Sequence, residues 1–432
     1  MVKSATHMQS KSFSSLHGAP RPFNFCDSLC SPVRGGWISS SFNPQSLHCV
    51  AFGDLSSRRI RQFDELKPVR ACANTAIRDD RFYMKKCVDI ARKAIGWTSP
   101  NPMVGCVVVK EGEIVGEGFH PQAGQPHAEV FALRDAGSSA ENATAYVSLE
   151  PCNHYGRTPP CTDALIKAKV KKVVVGMIDP NPIVSSKGLD KLRSAGIEVV
   201  TGVEEELCRK LNEGYIHQML TGKPFVTLSC SISSNGFPSD SLGNSSSMQG
   251  GYYSKILQEY DAVIVSSSLV EQYPFPSSSE PGANQPTIIV IAKSRSSGIQ
   301  LPHLTSKVAS RVVIFKDDEL PIDSQISELG VETVFMEPLN LDAILEYCKR
   351  RGACSVLIDL RGFLDDFEEL LQHAVEKKTL QKAVVELLPG YENQETNNMV
   401  QGSLKGIFDK VQLQVCSSQF EKSKSKVVEF YL

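Results

Sequence analysis

Apolar residues along the chain recur with two different spacings. Over residues 79–98 they recur every three or four positions, which predicts an amphipathic helix with one buried face. Two apolar runs in residues 103–120 meet at Glu111-Gly112, which predicts a β-hairpin. Strands and helices then alternate, with a short helix ending at Gly137 and one closing helix over residues 204–222. This alternation of short elements predicts a three-layer α/β sandwich.

A second series of apolar segments begins near Phe225. Six further strand candidates follow, with helical segments between several of them, so this part is also expected to be α/β. The six are DAVIVSS, PTIIVIA, RVVIFK, VETVFM, SVLIDL and AVVELL. The pattern therefore predicts three parts: residues 1–72, a domain over residues 73–222 and a domain over residues 223–432.

The first part differs from the rest in composition. Residues 1–72 are rich in serine, contain several arginines and lysines, and are poor in acidic residues. This composition is typical of organelle transit peptides. The segment PVRACANTA resembles a plastid processing site, with cleavage near Ala71 or Cys72, so the chloroplast stroma is the expected location. The alternative is a disordered tail that carries no targeting signal. Mitochondrial import is disfavoured because no amphipathic arginine-rich helix is evident.

Charge and cysteine content narrow the class of partner. The 432 residues carry a formal net charge of −2, which gives no general attraction to nucleic acid or to an anionic membrane. No apolar run reaches the roughly 20 residues that span a bilayer. The 13 cysteines are scattered rather than arranged as a small disulfide scaffold, which favours a reducing compartment. We therefore expect neither nucleic acid nor a membrane as a partner.

Four residues stand out as a constellation for metal chemistry. His127, Cys152 and Cys161 supply one imidazole and two thiolates, the ligand types of a catalytic zinc site with one open position. Glu129 is then left over, and a carboxylate beside a zinc-activated water can move its proton. A single histidine or cysteine is more often an ordinary core residue. The prediction rests on finding all four at the expected ends of strands and helices.

The spacing of these residues follows a known signature, with one departure. Zinc nucleobase deaminases carry H-x-E and P-C-x-x-C, with the glutamate as acid/base. Here HAE and PC match, but eight residues, Asn153–Pro160, replace the usual two between the cysteines. The segments PNPMVGCVVV, AGQPHAEVFAL, SLEPCNHYGRTPPCTDALI and DPNP closely resemble the deaminase domain of the riboflavin-biosynthesis deaminase/reductase family, which carries this longer loop. The resemblance covers residues 80 to about 222. With the leader, it points to the plant plastid members.

This resemblance implies a fold and a reaction. The fold would be a cytidine-deaminase-like three-layer αβα sandwich followed by a dihydrofolate-reductase-like α/β domain. The substrate would be 2,5-diamino-6-ribosylamino-4(3H)-pyrimidinone 5′-phosphate, a small pyrimidine ribosyl phosphate, deaminated with zinc as cofactor and Glu129 as acid/base. The residues that match the family's substrate positions are Asn101, His120, Arg157 and Asn181. Asn101 and Asn181 each precede a proline, so shaping a turn is the alternative role for both.

The same resemblance makes the second domain a reductase that has lost its chemistry. The family's first strand there continues with a K-x-A-x-S-L-D-G pattern, and this chain has Ser229 at the lysine position and Asn235 at the aspartate position. The Gly-x-x-Thr phosphate turn is replaced by SSSLVEQYPFP. The late glycine-rich loop is replaced by DLRGFLDDFEELL, where Asp365 and Asp366 would repel a dinucleotide pyrophosphate. We therefore expect no nicotinamide cofactor.

Four functions are compatible with parts of this pattern. A monofunctional small-molecule deaminase agrees with all of it. A bifunctional deaminase with an NADPH-dependent reductase is the alternative, and the lost lysine and glycine positions argue against it. A polynucleotide deaminase is disfavoured by the lack of a basic excess and by the long cysteine loop. A catalytically dead scaffold is disfavoured by the intact metal and base residues. The sequence does not fix the oligomeric state, and a homodimer stays open.

Overall fold

In the computed structural model of the protein, the described residues are 79–156, 158–181, 186–233, 238–239, 241–243, 246–292, 299–316, 322–361, 367–388, 414–420 and 426–432. The predicted transit peptide, residues 1–72, lies outside them. All described residues belong to one compact unit. The α-helices are α1 Asp80–Ala91, α2 Ala128–Ala136, α3 Cys161–Lys167, α4 Lys187–Ser194, α5 Glu205–Leu211, α6 Glu213–Thr221, α7 Tyr252–Glu259, α8 Ser267–Gln272, α9 Ser306–Ala309, α10 Ser324–Glu328, α11 Leu341–Arg350 and α12 Glu368–Glu376.

The strands are divided between two sheets. Those of the first are β1 Gly105–Lys110, β2 Glu113–Phe119, β3 Thr144–Leu149, β4 Lys172–Met177 and β5 Glu198–Thr201. Those of the second are β6 Phe225–Ile232, β7 Pro238–Ser239, β8 Ala262–Ser266, β9 Thr287–Ala292, β10 Val312–Lys316, β11 Glu332–Phe335, β12 Ser355–Asp359, β13 Lys382–Leu387, β14 Gln414–Phe420 and β15 Lys426–Tyr431.

The first sheet forms the middle layer of a three-layer sandwich. Its strand order is β2-β1-β3-β4-β5; β2, β1 and β3 run antiparallel, whereas β3, β4 and β5 run parallel. Helices α1 and α5 pack on one face through a cluster that includes Met84 and Cys208. On the other face, α2 packs through its alanines and α3 and α4 through their leucines. The three-layer αβα sandwich expected from the sequence is confirmed.

The hairpin at Glu111-Gly112 is formed as predicted. Lys110 pairs with Glu113, so only two residues connect β1 to β2. Glu111 has φ 53° and Gly112 has φ 83°, and positive φ at both central residues is the conformation of a type I′ turn. The turn directs β2 back along β1, toward the loop that leads to α2.

The predicted closing helix over residues 204–222 is wrong in one respect, because it is two helices. Asn212 separates α5 from α6 with φ −122° and ψ 26°. Its side chain is buried, and it accepts from Met103 N at 2.8 Å while its amide donates to Met103 O at 3.0 Å. Both hydrogen bonds join the helix break to the segment before β1. This tertiary contact outweighs the helical pattern of the sequence.

Helix α2 lies unusually close to β2. A Cβ at Gly116 would lie 2.3 Å from the carbonyl oxygen of Ala132, and one at Gly118 would lie 2.4 Å from that of Ala128. Both distances are shorter than any side chain tolerates, so glycine is required at both strand positions. The facing helix residues are buried alanines, which permit the same close approach. The start of α2 is therefore held tightly against the sheet.

The second sheet has the order β11-β10-β9-β8-β12-β6-β13-β15-β14, with β7 paired to β6. Strands β6 and β8 to β13 run parallel, and the edge formed by β15 and β14 is antiparallel. The six strand candidates after Phe225 are confirmed as β8 to β13. The sequence patterns missed β7, β14 and β15. Strand β7 has only two residues, and QVCSSQF in β14 carries no apolar run. Among the described helices, none is both long and apolar enough to span a bilayer.

The close approach of α2 and β2 gives a stability prediction. Gly118→Ala should lower the free energy of unfolding by about 1–3 kcal/mol or more, because the new methyl group overlaps the backbone of α2. The measurement is urea denaturation of the purified protein. Glu117→Ala is the matched control: its side chain forms a surface ion pair with Lys86 at 3.9 Å, and such pairs contribute about 0–1 kcal/mol. Equal stability of wild type and Gly118→Ala would contradict the close-packing argument.

Candidate zinc site

Two helix starts and one strand end bring the predicted metal ligands together. His127 is the N-cap residue of α2, with extended φ −77° and ψ 167°, and Glu129 lies in the first turn of that helix. Cys161 is the first residue of α3, after the turn-forming Pro160. Cys152 lies in the loop that follows β3. Because His127 is outside the regular helix, its side chain and that of Glu129 can both reach one site.

The three ligand atoms are spaced as a zinc ion requires. His127 Nδ1 lies 3.2 Å from Cys161 Sγ and 3.5 Å from Cys152 Sγ. All three atoms lie within 4.8 Å of one another. Tetrahedral bonds of about 2.3 Å to sulfur and about 2.0–2.1 Å to nitrogen correspond to N···S separations of about 3.5 Å. The donor set and its spacing therefore fit zinc.

Hydrogen bonds among these groups already favour a thiolate at Cys152. The hydrogen bond from Cys161 is the main cause that lowers the pKa of Cys152 to about 4. The backbone N–H of Cys161, at the start of α3, also donates to Cys152 Sγ at 3.4 Å. The bond with Cys152, together with burial, raises the pKa of Cys161, and a bound metal would deprotonate both sulfurs.

Glu129 lies beside the ligands without being one of the three. Its side chain is 3% exposed, and Oε2 has no hydrogen-bond partner among the described residues. Burial raises the pKa of this carboxyl. A buried carboxylate oxygen without a partner is costly unless a ligand or water completes it. The orphaned oxygen agrees with a site that holds a water molecule next to zinc.

A cavity of about 300 Å³ opens beside the metal ligands. Pro100, Asn101, His127, Cys152 and His154 are among its lining residues. This cavity would give a small ligand access to the zinc position. Asn101, predicted from the sequence as a substrate contact, is thus placed at the cavity wall.

His120, another predicted substrate residue, is placed differently. Its side chain is 2% exposed, and it lies behind Asn101 rather than in the cavity wall. His120 Nδ1 lies 3.1 Å from the carbonyl oxygen of Pro126, which can only accept, so Nδ1 carries the proton. Nε2 then accepts from Asn101 Nδ2 at 3.1 Å. His120 fixes the orientation of the Asn101 amide.

The remaining two predicted substrate residues are Arg157 and Asn181, and Asn181 is not among the described residues that line the cavity. Arg157 lies outside the described residues. Asn181 is half-buried, and its backbone N–H donates to Asp179 Oδ1 at 2.9 Å, which agrees with the turn-shaping alternative.

The structure adds Glu150, which the sequence patterns missed. This buried carboxylate follows β3 directly and accepts from the backbone N–H of Asp179 at 3.3 Å and of Ser186 at 3.0 Å. It joins the Cys152 loop to the segment after β4. The sequence did contain a signal for this residue, because an acidic residue stands directly after an apolar strand and before the Pro-Cys pair.

In the part of the chain that the structure describes, the carboxyl end of β12 carries no comparable open site. Among the described residues, Asp359 ends that strand and is buried against Arg361, with Arg361 Nη2 at 2.6 Å from Asp359 Oδ2. The hydroxyl of Tyr253 contacts both groups. Nearby, the buried Glu386 of β13 accepts from Ser231 Oγ at 3.1 Å and contacts Ser246. The carboxyl ends of parallel strands are where α/β sheets bind ligands, and here they hold paired polar side chains.

Comparisons with known proteins agree with this site and fold. The model of the cytidine and deoxycytidylate deaminase zinc-binding region matches residues 77–177. The chain is 59% identical to the riboflavin biosynthesis protein PYRD, chloroplastic, of Arabidopsis thaliana, over 73% of this chain and 75% of that protein.

Solved structures match over most of the chain. Acinetobacter baumannii RibD superposes with a TM-score of 0.66 at 32% identity, covering 82% of this chain and 98% of that one. A Thermotoga maritima protein described as a diaminohydroxyphosphoribosylaminopyrimidine deaminase/5-amino-6-(5-phosphoribosylamino)uracil reductase gives a TM-score of 0.65 at 28% identity, with the same coverage. These matches confirm the expected succession of a cytidine-deaminase-like sandwich and a reductase-like α/β domain. With a zinc-binding deaminase region and relatives of this identity and coverage, the chain belongs to the riboflavin-biosynthesis PYRD/RibD family of pyrimidine deaminases.

Proposed function

We propose that the protein deaminates 2,5-diamino-6-ribosylamino-4(3H)-pyrimidinone 5′-phosphate to 5-amino-6-ribosylamino-2,4-pyrimidinedione 5′-phosphate. Water is consumed and ammonia is released. The observation that carries the proposal is the convergence of His127, Cys152 and Cys161 beside the orphaned Glu129 Oε2. Family membership and the deaminase/reductase name of the Thermotoga maritima relative support this choice of substrate.

Each residue of the site has a distinct task in this proposal. His127, Cys152 and Cys161 would hold zinc, which when bound lowers the pKa of water and so supplies a nucleophile at neutral pH. Glu129 Oε2 would take a proton from the attacking water, pass it to the ring nitrogen and then assist the departure of ammonia. The Asn101 amide, oriented by His120, would contact the pyrimidine through its carbonyl oxygen. Arg157 and Asn181 remain proposed contacts for the ribose phosphate end.

We further propose that the chain has no reductase activity. Ser229 stands on β6 where the family resemblance expects a lysine, and it pairs with Asp359 across the sheet. Asp359 and Arg361 hydrogen-bond to each other, and Glu386 separately accepts a hydrogen bond from Ser231. A cofactor would have to displace these buried partners, each of which is expensive to leave unsatisfied. A bifunctional deaminase/reductase is the second candidate, favoured by the retained reductase-like fold.

Three organisational features complete the proposal. The first sheet ends before residue 222 and the second begins at Phe225, which supports a domain boundary between residues 222 and 223. The Arabidopsis relative is named chloroplastic, which supports residues 1–72 as a plastid transit peptide and the stroma as the location. The substrate is a small molecule, and a homodimer is kept as an open alternative to a monomer.

Metal analysis tests the ligand assignment. Cys152→Ser should lose zinc and deaminase activity together, because a neutral hydroxyl is a poor zinc ligand. Zinc per chain is measured by mass spectrometry of the purified protein. Cys230→Ala, a buried cysteine of β6, is the control, and it should keep the zinc content of wild type. Full zinc occupancy in Cys152→Ser would overturn the assignment.

A second substitution separates the base from the ligands. Glu129→Gln should retain zinc yet lose turnover by about 10²–10⁴-fold, the usual contribution of general acid/base catalysis. Ammonia release and zinc content are measured on the same preparation. Loss of the metal from Glu129→Gln would instead make Glu129 a ligand.

Cofactor titration distinguishes the two candidate functions. NADPH should show no saturable binding by fluorescence, and the deaminated product should accumulate unreduced when NADPH is present, as mass spectrometry can show. A dihydrofolate reductase titrated in parallel verifies the binding assay. Saturable NADPH binding together with a reduced product would establish the bifunctional alternative.

A further inference from the structure

The segment Gly96–Asn101 is held by residues of the part of the chain that forms the second sheet, from Phe225 onward, which we call the second-sheet region. It precedes β1 and ends at Asn101, which lines the cavity beside the zinc ligands. At its start, Asn284 Nδ2 donates to Gly96 O at 2.5 Å, and Trp97 Nε1 donates to Gly282 O at 3.3 Å. Both partners lie in the loop before β9. The anchors of this segment therefore come from a part of the chain that supplies none of the zinc ligands.

The later half of the segment has anchors of its own. Ser99 lies beside the Asp261 side chain, and Cys354 Sγ lies 3.7 Å from Pro100 O. Asp261 is itself fixed, because its Oδ2 accepts from the backbone N–H of Cys354 at 2.8 Å and of Ser355 at 3.0 Å. Asp261 and Ser355 stand at the amino ends of β8 and β12. These contacts lie at the opposite end of the sheet from the Asp359–Arg361 pair.

Gly96 shows how close this contact is. It has φ +75°, a conformation that favours glycine, and a Cβ there would lie 2.5 Å from the carbonyl oxygen of Gln258 in α7. Any side chain at residue 96 would push the segment and α7 apart. The fit is therefore specific to the observed placement of the segment.

We propose that the second-sheet region positions Asn101 for deamination, with Asn284 and Asp261 as positioning residues that act through Gly96–Asn101. This inference rests on the proposed function. Asn101 is held on one side by His120 Nε2 and, through its own segment, on the other side by the second-sheet region. A misplacement of about 1 Å at a binding group can cost about 10²-fold in rate, so two-sided support has a kinetic consequence. Among the described residues, none from the region that lacks the reductase signature lines the deaminase pocket, and this region acts on the pocket by supporting the segment that carries Asn101.

The test measures KM and kcat for deamination by the full chain. Asn284→Ala removes one exposed anchor, and Gly96→Ala wedges the segment away from α7. Each should raise KM by about 3–10-fold, the equivalent of one lost hydrogen bond, while zinc per chain stays at the wild-type value. Lys223→Ala is the matched control. It breaks the ion pair of Lys223 with Asp342 at 3.0 Å, elsewhere in the chain, and should leave KM unchanged.

A double-mutant cycle separates positioning from general destabilisation. Asn101→Ala should raise KM by itself, and adding Asn284→Ala to it should raise KM no further, because the group being positioned is gone. Additive effects in the cycle would overturn the proposal, as would unchanged KM values in both Asn284→Ala and Gly96→Ala. Absence of deamination by the wild-type protein would overturn the proposed function, and this inference with it. If the wild-type protein deaminates normally but the substitutions change KM additively or not at all, the positioning role is overturned and the proposed function stands.

Discussion

The close packing of α2 on β2 is the constraint on which the zinc site depends. Gly116 and Gly118 leave no room for a side chain, and the alanines of α2 face them, so the helix has essentially one position on the sheet. That position fixes the helix start, and with it His127 as the cap and Glu129 in the first turn. The start of α3 adds Cys161 and directs its N–H at Cys152. Backbone packing thus sets the positions of His127, Glu129 and Cys161, and the loop after β3 supplies the remaining ligand, Cys152.

The two ends of the second sheet make different kinds of contact. At the carboxyl ends of β12 and β13, buried polar groups satisfy each other through Asp359, Arg361 and Glu386. At the amino ends of β8 and β12, Asp261 and Cys354 contact each other and lie beside the segment that carries Asn101. Ligand chemistry can be lost at one end without disturbing contacts at the other, because the parallel strands between them form a common apolar core.

Sequence patterns predicted the local elements and the metal ligands well, because both depend on spacing along the chain. The hairpin at Glu111-Gly112, the strands β8 to β13 and the set His127, Cys152 and Cys161 all came from such spacing. The break at Asn212 did not, since it depends on hydrogen bonds to Met103, far away in sequence. The same holds for β14, whose polar sequence gives no strand signal, and for the role of His120 behind Asn101. Contacts between distant segments decide these features, and one sequence does not display them.

The pairing of buried charges stabilises the carboxyl end of β12. A buried carboxylate such as Asp359 is tolerable only when it is paired, and Arg361 and Tyr253 provide that pairing within the chain. Without it, an uncompensated charge would destabilise the sheet by several kcal/mol, roughly a large part of a domain's net stability. The amino ends of β8 and β12 belong to the same sheet, where Asp261 and Cys354 lie beside Ser99 and Pro100. Internal pairing at the carboxyl end of β12 therefore helps to stabilise the sheet whose amino ends lie beside Ser99 and Pro100.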